Sequence, residues 1–227
     1  MNRGLFIMIE GTDGSGKGTQ TELLVQRFQT EGLPVEQIHF PQYGERSAAV
    51  VEDYLNGKFG TADEVGPYRA SIFYAVDRYA ASPKIQTWLN QGKIVIANRY
   101  VGSNLGHQGG KIADSEQRKK YFQWNYDLEY GIFQIPKPDV NIILHVKPEI
   151  SQQLVDQKSE RAYLNGKKRD IHEDDLSHLK NAESAYLQLA NIYAEFQIIE
   201  CVENETMLNK ETIHEKIWLA VKKHLEK

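Results

Sequence analysis

One cysteine in 227 residues, Cys201, excludes a disulfide framework and any cysteine-built metal centre within a single chain. Its setting, FQIIECV, is an apolar run that reads as a buried strand and not as a reactive site. Long hydrophobic runs are missing too. Near the start only Leu5 to Ile9 is continuously apolar before Glu10, too short for the core of a signal peptide or for a membrane span. Excess positive charge is also lacking: 31 acidic residues against 27 basic ones leave a net charge of −4, whereas a surface for nucleic acid normally needs a basic face. Repeats, low-complexity tracts and linkers long enough to divide the chain are absent. The expectation is one cytoplasmic domain, spanning 1–227, that binds phosphate locally and has neither nucleic acid nor membrane as partner.

What is present is organised around Leu5 to Thr19, LFIMIEGTDGSGKGT, where a short apolar strand, a glycine-rich loop and a lysine follow one another directly. Gly11, Gly16 and Lys17 fit the pattern Gly-x-x-x-x-Gly-Lys. Such a loop wraps backbone N–H groups around a polyphosphate, because glycine allows dihedrals and close approaches that a Cβ blocks. Lys17 then opens a helix whose N-terminal dipole also faces the anion. Gly18 stands where a hydroxyl residue usually follows the lysine, so Thr19 is the hydroxyl expected near a metal.

Downstream, a helix is expected from about Lys17 to Glu31, ended by Gly32, and a strand over Val35 to Phe40 between two prolines. A short helix over Ser47–Leu55 and a long one over about Pro67–Gln91, kinked or divided at Pro83, come next. Lys93 to Ala97 and Val140 to Val146 are continuous apolar strands. Between them the glycine-rich VGSNLGHQGGK suits a loop or frayed helix start, and a helix covers Ser115 to Phe133. A fifth strand lies in QIIECV and the chain closes on a helix marked by Ile213, Ile217, Ala220 and Val221. Strands alternating with helices imply an α/β fold: a five-stranded parallel sheet flanked by helices in three layers, with ligands at the carboxyl ends of the strands.

Three candidate loops fall where such a sheet gathers them: Gly11 to Thr19, Phe40 to Gly44, and Asn98 to Gln108. At these residues the chain resembles the thymidylate kinases, P-loop nucleoside monophosphate kinases. The resemblance is carried by EGTDGSGKGTQ with Asp13 inside the loop, by Phe40-Pro41-Gln42-Tyr43-Gly44, by Tyr74-Ala75-Val76-Asp77-Arg78, by Arg99-Tyr100-Val101-Gly102-Ser103-Asn104, and by Pro138-Asp139. It covers nearly the whole length. It implies transfer of the γ-phosphoryl group of ATP to dTMP with Mg2+, in dTTP biosynthesis, by a homodimer joined through helices.

The same resemblance implies roles. Gly11, Asp13, Gly14, Ser15, Gly16, Lys17, Gly18 and Thr19 hold ATP, Lys17 steadying the transferring oxygens. Arg78 and Arg99 grip the acceptor phosphate, Asp13 the sugar 3′-hydroxyl. Tyr74 stacks on the thymine and Asn104 pairs with its edge, supported by Phe40, Pro41, Tyr43, Ser103, His107 and Gln108. Because Gly14 and Ser15 give the loop no arginine, a lid at about 157–171 must supply one, Arg161 first and Arg169 second.

Two positions depart from the pattern. Asn98 stands where an aspartate usually helps hold magnesium, which Asp13 and Glu10 would offset; Gln42 stands where many relatives have an arginine, with Arg46 near enough in sequence to replace it. Asp77 has a plainer reading, as partner of a neighbouring cation, and Phe73 and Tyr74 as core aromatics. Other functions to set against the first are a different nucleoside monophosphate kinase, a deoxynucleoside kinase, and a nucleotide-binding regulator without catalysis.

Overall fold

In the computed structural model, residues 3–156 and 176–225 are described; the expected lid at about 157–171, with Arg161 and Arg169, lies outside them. Five strands, β1 (Phe6–Gly11), β2 (Val35–His39), β3 (Ile94–Asn98), β4 (Val140–His145) and β5 (Phe196–Glu200), pair in the order β2-β3-β1-β4-β5. All four pairings are parallel, with Ile9 opposite Asn98 and Glu10 opposite Ile143. The central strands are apolar without alternation because each face is covered. Phe6, Met8, Val95, Ala97 and Ile143 point into one core, and Ile7, Ile9, Ile96, Ile142 and Leu144 into the other.

The first core is closed by α3 (Ala62–Asn90), α5 (Ser115–Tyr126) and α7 (Leu176–Ile192), through residues such as Ile85, Tyr121 and Leu189. The second is closed by α1 (Lys17–Thr30) and α8 (Lys210–Leu225), where Phe28 meets Trp218 edge-on at 5.4 Å. Cys201 is buried in this second core with its thiol pushed up to about 12 by burial. A smaller cluster joins α2 (Ala49–Leu55) to the start of α3. Among the described residues no helix is long and apolar enough to cross a membrane.

The long helix differs from expectation in an informative way. Thr61 caps it with a reciprocal pair, Thr61 Oγ1 accepting from the Glu64 N–H and a Glu64 carboxylate oxygen accepting from the Thr61 N–H. Its one break is at Gly66, φ 74°, so regular helix resumes at Pro67, while Pro83 leaves it undivided. Pro83 cannot donate to the Tyr79 carbonyl, and Ser82 Oγ does so instead at 2.8 Å.

Of the two readings of the glycine-rich stretch, loop or frayed helix start, the structure takes the second. Val101–Ser103 is a turn of helix, α4, continued by a wide turn over Asn104–Gln108 and a tight one over Gly109–Lys111. Its glycines serve close packing: a Cβ on Gly106 would lie 2.2 Å from the Tyr186 ring, and one on Gly110 2.9 Å from the backbone of α7. Beyond β5 a hairpin unforeseen in the sequence, β6 (Val202–Glu203) with β7 (Thr206–Met207), precedes α8.

Candidate active site

The strands deliver their loops to one edge of the sheet, where a cavity of about 870 Å3 opens. Asp13, Gly14, Gly16, Lys17, Gly18 and Thr19 line it from the loop after β1; Phe40, Pro41 and Tyr43 from the loop after β2; Tyr74 and Arg78 from α3. Asn98 and Arg99 line it from the end of β3, with Ser103, Asn104, His107 and Gln108 from the turns beyond. Glu10, Gly11 and Ser15 lie beneath, outside the lining, and Arg161 is outside the described residues.

The loop after β1 is packed from behind. A Cβ on Gly14, whose φ is +83°, would fall 2.2 Å from the Ser151 carbonyl oxygen of α6 (Pro148–Asp156), and Ser15 is fully buried. An arginine therefore has no room at either position. Lys17 is nearly buried and its ammonium donates to the carbonyls of Gly11 and Thr12 at 3.0 and 2.7 Å, with the Asp13 carboxylate 4.0 Å away.

Across from it, Arg99 sits at φ 67°, a left-handed conformation costly outside glycine and held in place here by its surroundings. Glu10 supplies much of that hold. Its carboxylate accepts from the Tyr100 N–H at 2.6 Å, from Ser103 Oγ at 2.7 Å and from the Tyr186 hydroxyl at 3.1 Å, and Gly102 has no Cβ to obstruct it. Burial raises the Glu10 pKa, with Ser103 and Arg99 opposing. The Arg99 guanidinium donates to Asp13 and, through Nη1, to His107 Nε2 at 2.9 Å. Burial works against its charge, but Asp13 and the acidic groups around it outweigh that and raise its pKa.

Arg78 belongs to a second network. It is buried and binds Glu129 with two nitrogens, Nε at 2.5 Å and Nη2 at 2.7 Å, leaving Nη1. Glu129 is itself fully buried and also accepts from Asn125 Nδ2 at 3.0 Å and Asn104 Nδ2 at 3.3 Å. Asn104 Nδ2 is further held by the Ser71 carbonyl at 3.1 Å and by Asn125, so its amide is oriented with Oδ1 as the end left to accept. Tyr74, half-buried, packs edge-on to Tyr54 at 6.3 Å while lining the cavity, so the plain and the functional reading of this aromatic coexist.

Among the described residues Asp77 partners no cation. Its carboxylate accepts from the Gln42 N–H at 2.8 Å, Gln42 Nε2 at 3.1 Å and Ser47 Oγ at 2.6 Å, clamping the loop after β2. Gln42 is thus a structural tie, and Arg46 is exposed and outside the cavity lining. Gln20, Leu154, Met207, Leu208, Lys210 and Ile213 also line the cavity. Sequence reasoning missed these, and Glu129 and Asn125 with them; the signal for the last two was a carboxylate four residues after an asparagine inside the aromatic run YFQWNYDLEY.

Magnesium has a fitting donor set. Asn98 Oδ1 is a buried oxygen with no hydrogen-bond donor among the described residues, in the lining of the same cavity as the loop whose backbone suits phosphates. Among the described residues no three or more histidines, cysteines and carboxylates cluster as a metal cage.

Residues 9–217 match the thymidylate kinase family. A thymidylate kinase of Mycobacterium tuberculosis is 31% identical over 188 residues, 82% of this chain and 86% of that one. A probable thymidylate kinase of Pyrococcus abyssi is 28% identical over 225 residues, 98% of both. In three dimensions the thymidylate kinase of Candida albicans is similar with a TM-score of 0.74 at 21% identity, over 98% of this chain and 92% of that one, a likeness of fold.

Proposed function

The chain belongs to the thymidylate kinase family, and from that premise we propose how its cavity carries the γ-phosphoryl group of ATP to the phosphate of dTMP, giving dTDP and ADP. The observation that carries the reading is the order of groups along one cavity. Lys17 and the glycine loop stand beside the Asp13–Arg99 pair, with Asn104, Tyr74 and Arg78 in the same lining. A phosphate donor and a nucleotide acceptor that brings its own anion can lie there end to end.

The transfer asks for positioning and charge neutralisation more than for a nucleophile on the protein, since the acceptor phosphate is already anionic. Lys17 leaves its loop carbonyls for the phosphoryl oxygens, and the loop N–H groups hold the rest of ATP. Arg99 grips the acceptor phosphate, with Ser103, His107 and Gln108 behind it. Asp13, already tied to Arg99, reaches the sugar hydroxyl and so couples recognition of the sugar to placement of the phosphate. Tyr74 stacks on the base, the oriented Asn104 accepts from its N3–H, and Arg78 offers Nη1 to the acceptor; Phe40, Pro41 and Tyr43 close that side. Asn98, with Thr19 at the rim, would hold Mg2+, and the ion would supply positive charge to offset that of the phosphate oxygens.

The arginine that the loop has no room for comes, on this reading, from the lid at about 157–171 of the single domain, Arg161 before Arg169. Arg161→Ala then lowers kcat on the order of a hundredfold while the KM for dTMP changes little; an unchanged kcat removes Arg161 from the mechanism. We place the enzyme in the cytoplasm, where dTDP is one phosphorylation short of dTTP, and read it as a homodimer. Tyr68, Ile72, Val76 and Tyr79 are exposed along one face of α3, and a second copy would cover them.

The test is ADP production by the purified protein with ATP and magnesium, comparing dTMP, dUMP, AMP, CMP and thymidine. A strong preference for dTMP is expected. Activity confined to another acceptor would discard the base assignment, and silence with all five would make the chain a nucleotide-binding regulator.

A further inference from the structure

We propose that His178, in the first turn of α7, is a positioning residue for the acceptor arginine, fixing the ring and tautomer of His107 and through it the guanidinium of Arg99. The proposal rests on the reading of Arg99 as the group that meets the acceptor phosphate.

His107 stands between the two. Its Nε2 is 2.9 Å from Arg99 Nη1 and its Nδ1 is 3.4 Å from His178 Nε2. The imidazole planes differ by only 18° and their centroids are 5.6 Å apart. That separation exceeds the nitrogen-to-nitrogen distance by roughly two ring radii, so the rings meet edge to edge and nearly coplanar, as an in-plane N–H···N bond requires.

Chemistry sets the direction of the chain. A guanidinium can only donate, so His107 Nε2 must accept. A neutral imidazole has one proton, which is then on Nδ1 and points at His178. His107 takes no second proton near neutrality, because burial and then the Arg99 charge hold its pKa well below the usual histidine range. His178 Nε2 must therefore be the acceptor, which it can be only while His178 is neutral. Protonating His178 would set N–H against N–H and add a cation beside Arg99; a flip of the His107 tautomer would only move the conflict to Arg99.

Among the described residues, the charged and titratable groups around His107 are Arg99 from the end of β3, Asp13 and Lys17 from the phosphate loop, and Tyr186 from α7, whose ring meets His107 at 5.8 Å. Further charges on α7 are paired, Lys180 with Glu149 of α6 and Glu183 with His145 of β4. None of these pairs can replace the acceptor that His178 offers to His107 Nδ1.

The experiment measures kcat and the KM for dTMP between about pH 5.5 and about pH 8.5. Wild type, His178→Gln, His178→Leu and Arg99→Ala are compared at saturating ATP and magnesium, with a thermal melt of each. Glutamine keeps an acceptor oxygen and does not titrate; leucine keeps the bulk and loses the acceptor. The wild-type KM should rise as pH falls, beyond the shallow rise that titration of dTMP itself imposes on every variant. His178→Gln should keep the neutral-pH KM within about twofold and lose that extra acid rise, whereas His178→Leu should raise the KM about fivefold at every pH. Equal behaviour of the two variants, or a wild-type KM and pH profile in His178→Leu whatever its melting temperature, would overturn the proposal. An unchanged KM in Arg99→Ala instead overturns the reading of Arg99; a raised KM there beside a wild-type His178→Leu overturns the positioning role alone.

Discussion

Glu129 is a carboxylate with no access to water, and it is tolerable only because Arg78, Asn125 and Asn104 are aimed at it. Removing one member strands the others. Glu129→Leu leaves the Arg78 guanidinium buried without its partner and should cost about 3–5 kcal/mol, read from urea unfolding. Replacing Arg78 and Glu129 together by apolar residues should cost less than the sum of the single changes. Two histidines should move stability in opposite directions with pH. His107 has a folded pKa depressed by burial and by Arg99, so below the unfolded value of about 6.5 the unfolded chain binds more protons and stability falls with acid. For His145 burial lowers the pKa, but its bonds to Glu200 and Glu183 outweigh that and raise it. Its stabilisation is complete below about pH 6.5 and is lost as pH rises through the raised value. Tm measured against pH should therefore lose its acid decline in His107→Asn and part of its decline above neutrality in His145→Gln.

At the scale of elements, the junction of the phosphate loop with α6 and the start of α3 make the sharpest demands on sequence. Gly14→Ala must both occupy a left-handed backbone and displace the Ser151 carbonyl, so it should weaken ATP binding along with stability, seen by titration calorimetry and melts. Thr61→Ala removes only a cap and should cost about 1 kcal/mol, with ATP and dTMP affinities unchanged. The elements most legible in the sequence were those whose cause is local. Gly11 to Lys17 announced a strand, a phosphate loop and a helix because glycine spacing and an apolar run sit within a few residues of each other. Val101 to Lys111 stayed open between loop and frayed helix start because its glycines answer to the Tyr186 ring and the backbone of α7, partners remote in the chain. Glu129 left only the faint signal of its spacing from Asn125, because its role depends on an arginine 51 residues away.

For the molecule as a whole, the strand order explains why one edge gathers the chemistry: β1 lies between β3 and β4, so its loop opens where neighbouring connections diverge. The three-layer α/β architecture was legible because buried parallel strands must be apolar on both faces, but the strand order was not, since apolar strands carry no address. The exposed stripe on α3 gives a test at this scale. Val76→Glu should convert the proposed homodimer to a monomer in light scattering, with the isolated fold still melting cooperatively. The sole thiol has a practical consequence. Cys201 is sealed in the core and reluctant to ionise, so the native molecule should be almost silent to maleimide reagents. A single cysteine introduced at the exposed Glu45, in the loop after β2, would then take a fluorophore or spin label at one site without first deleting a native thiol, and nucleotide binding could be followed directly against a dark background.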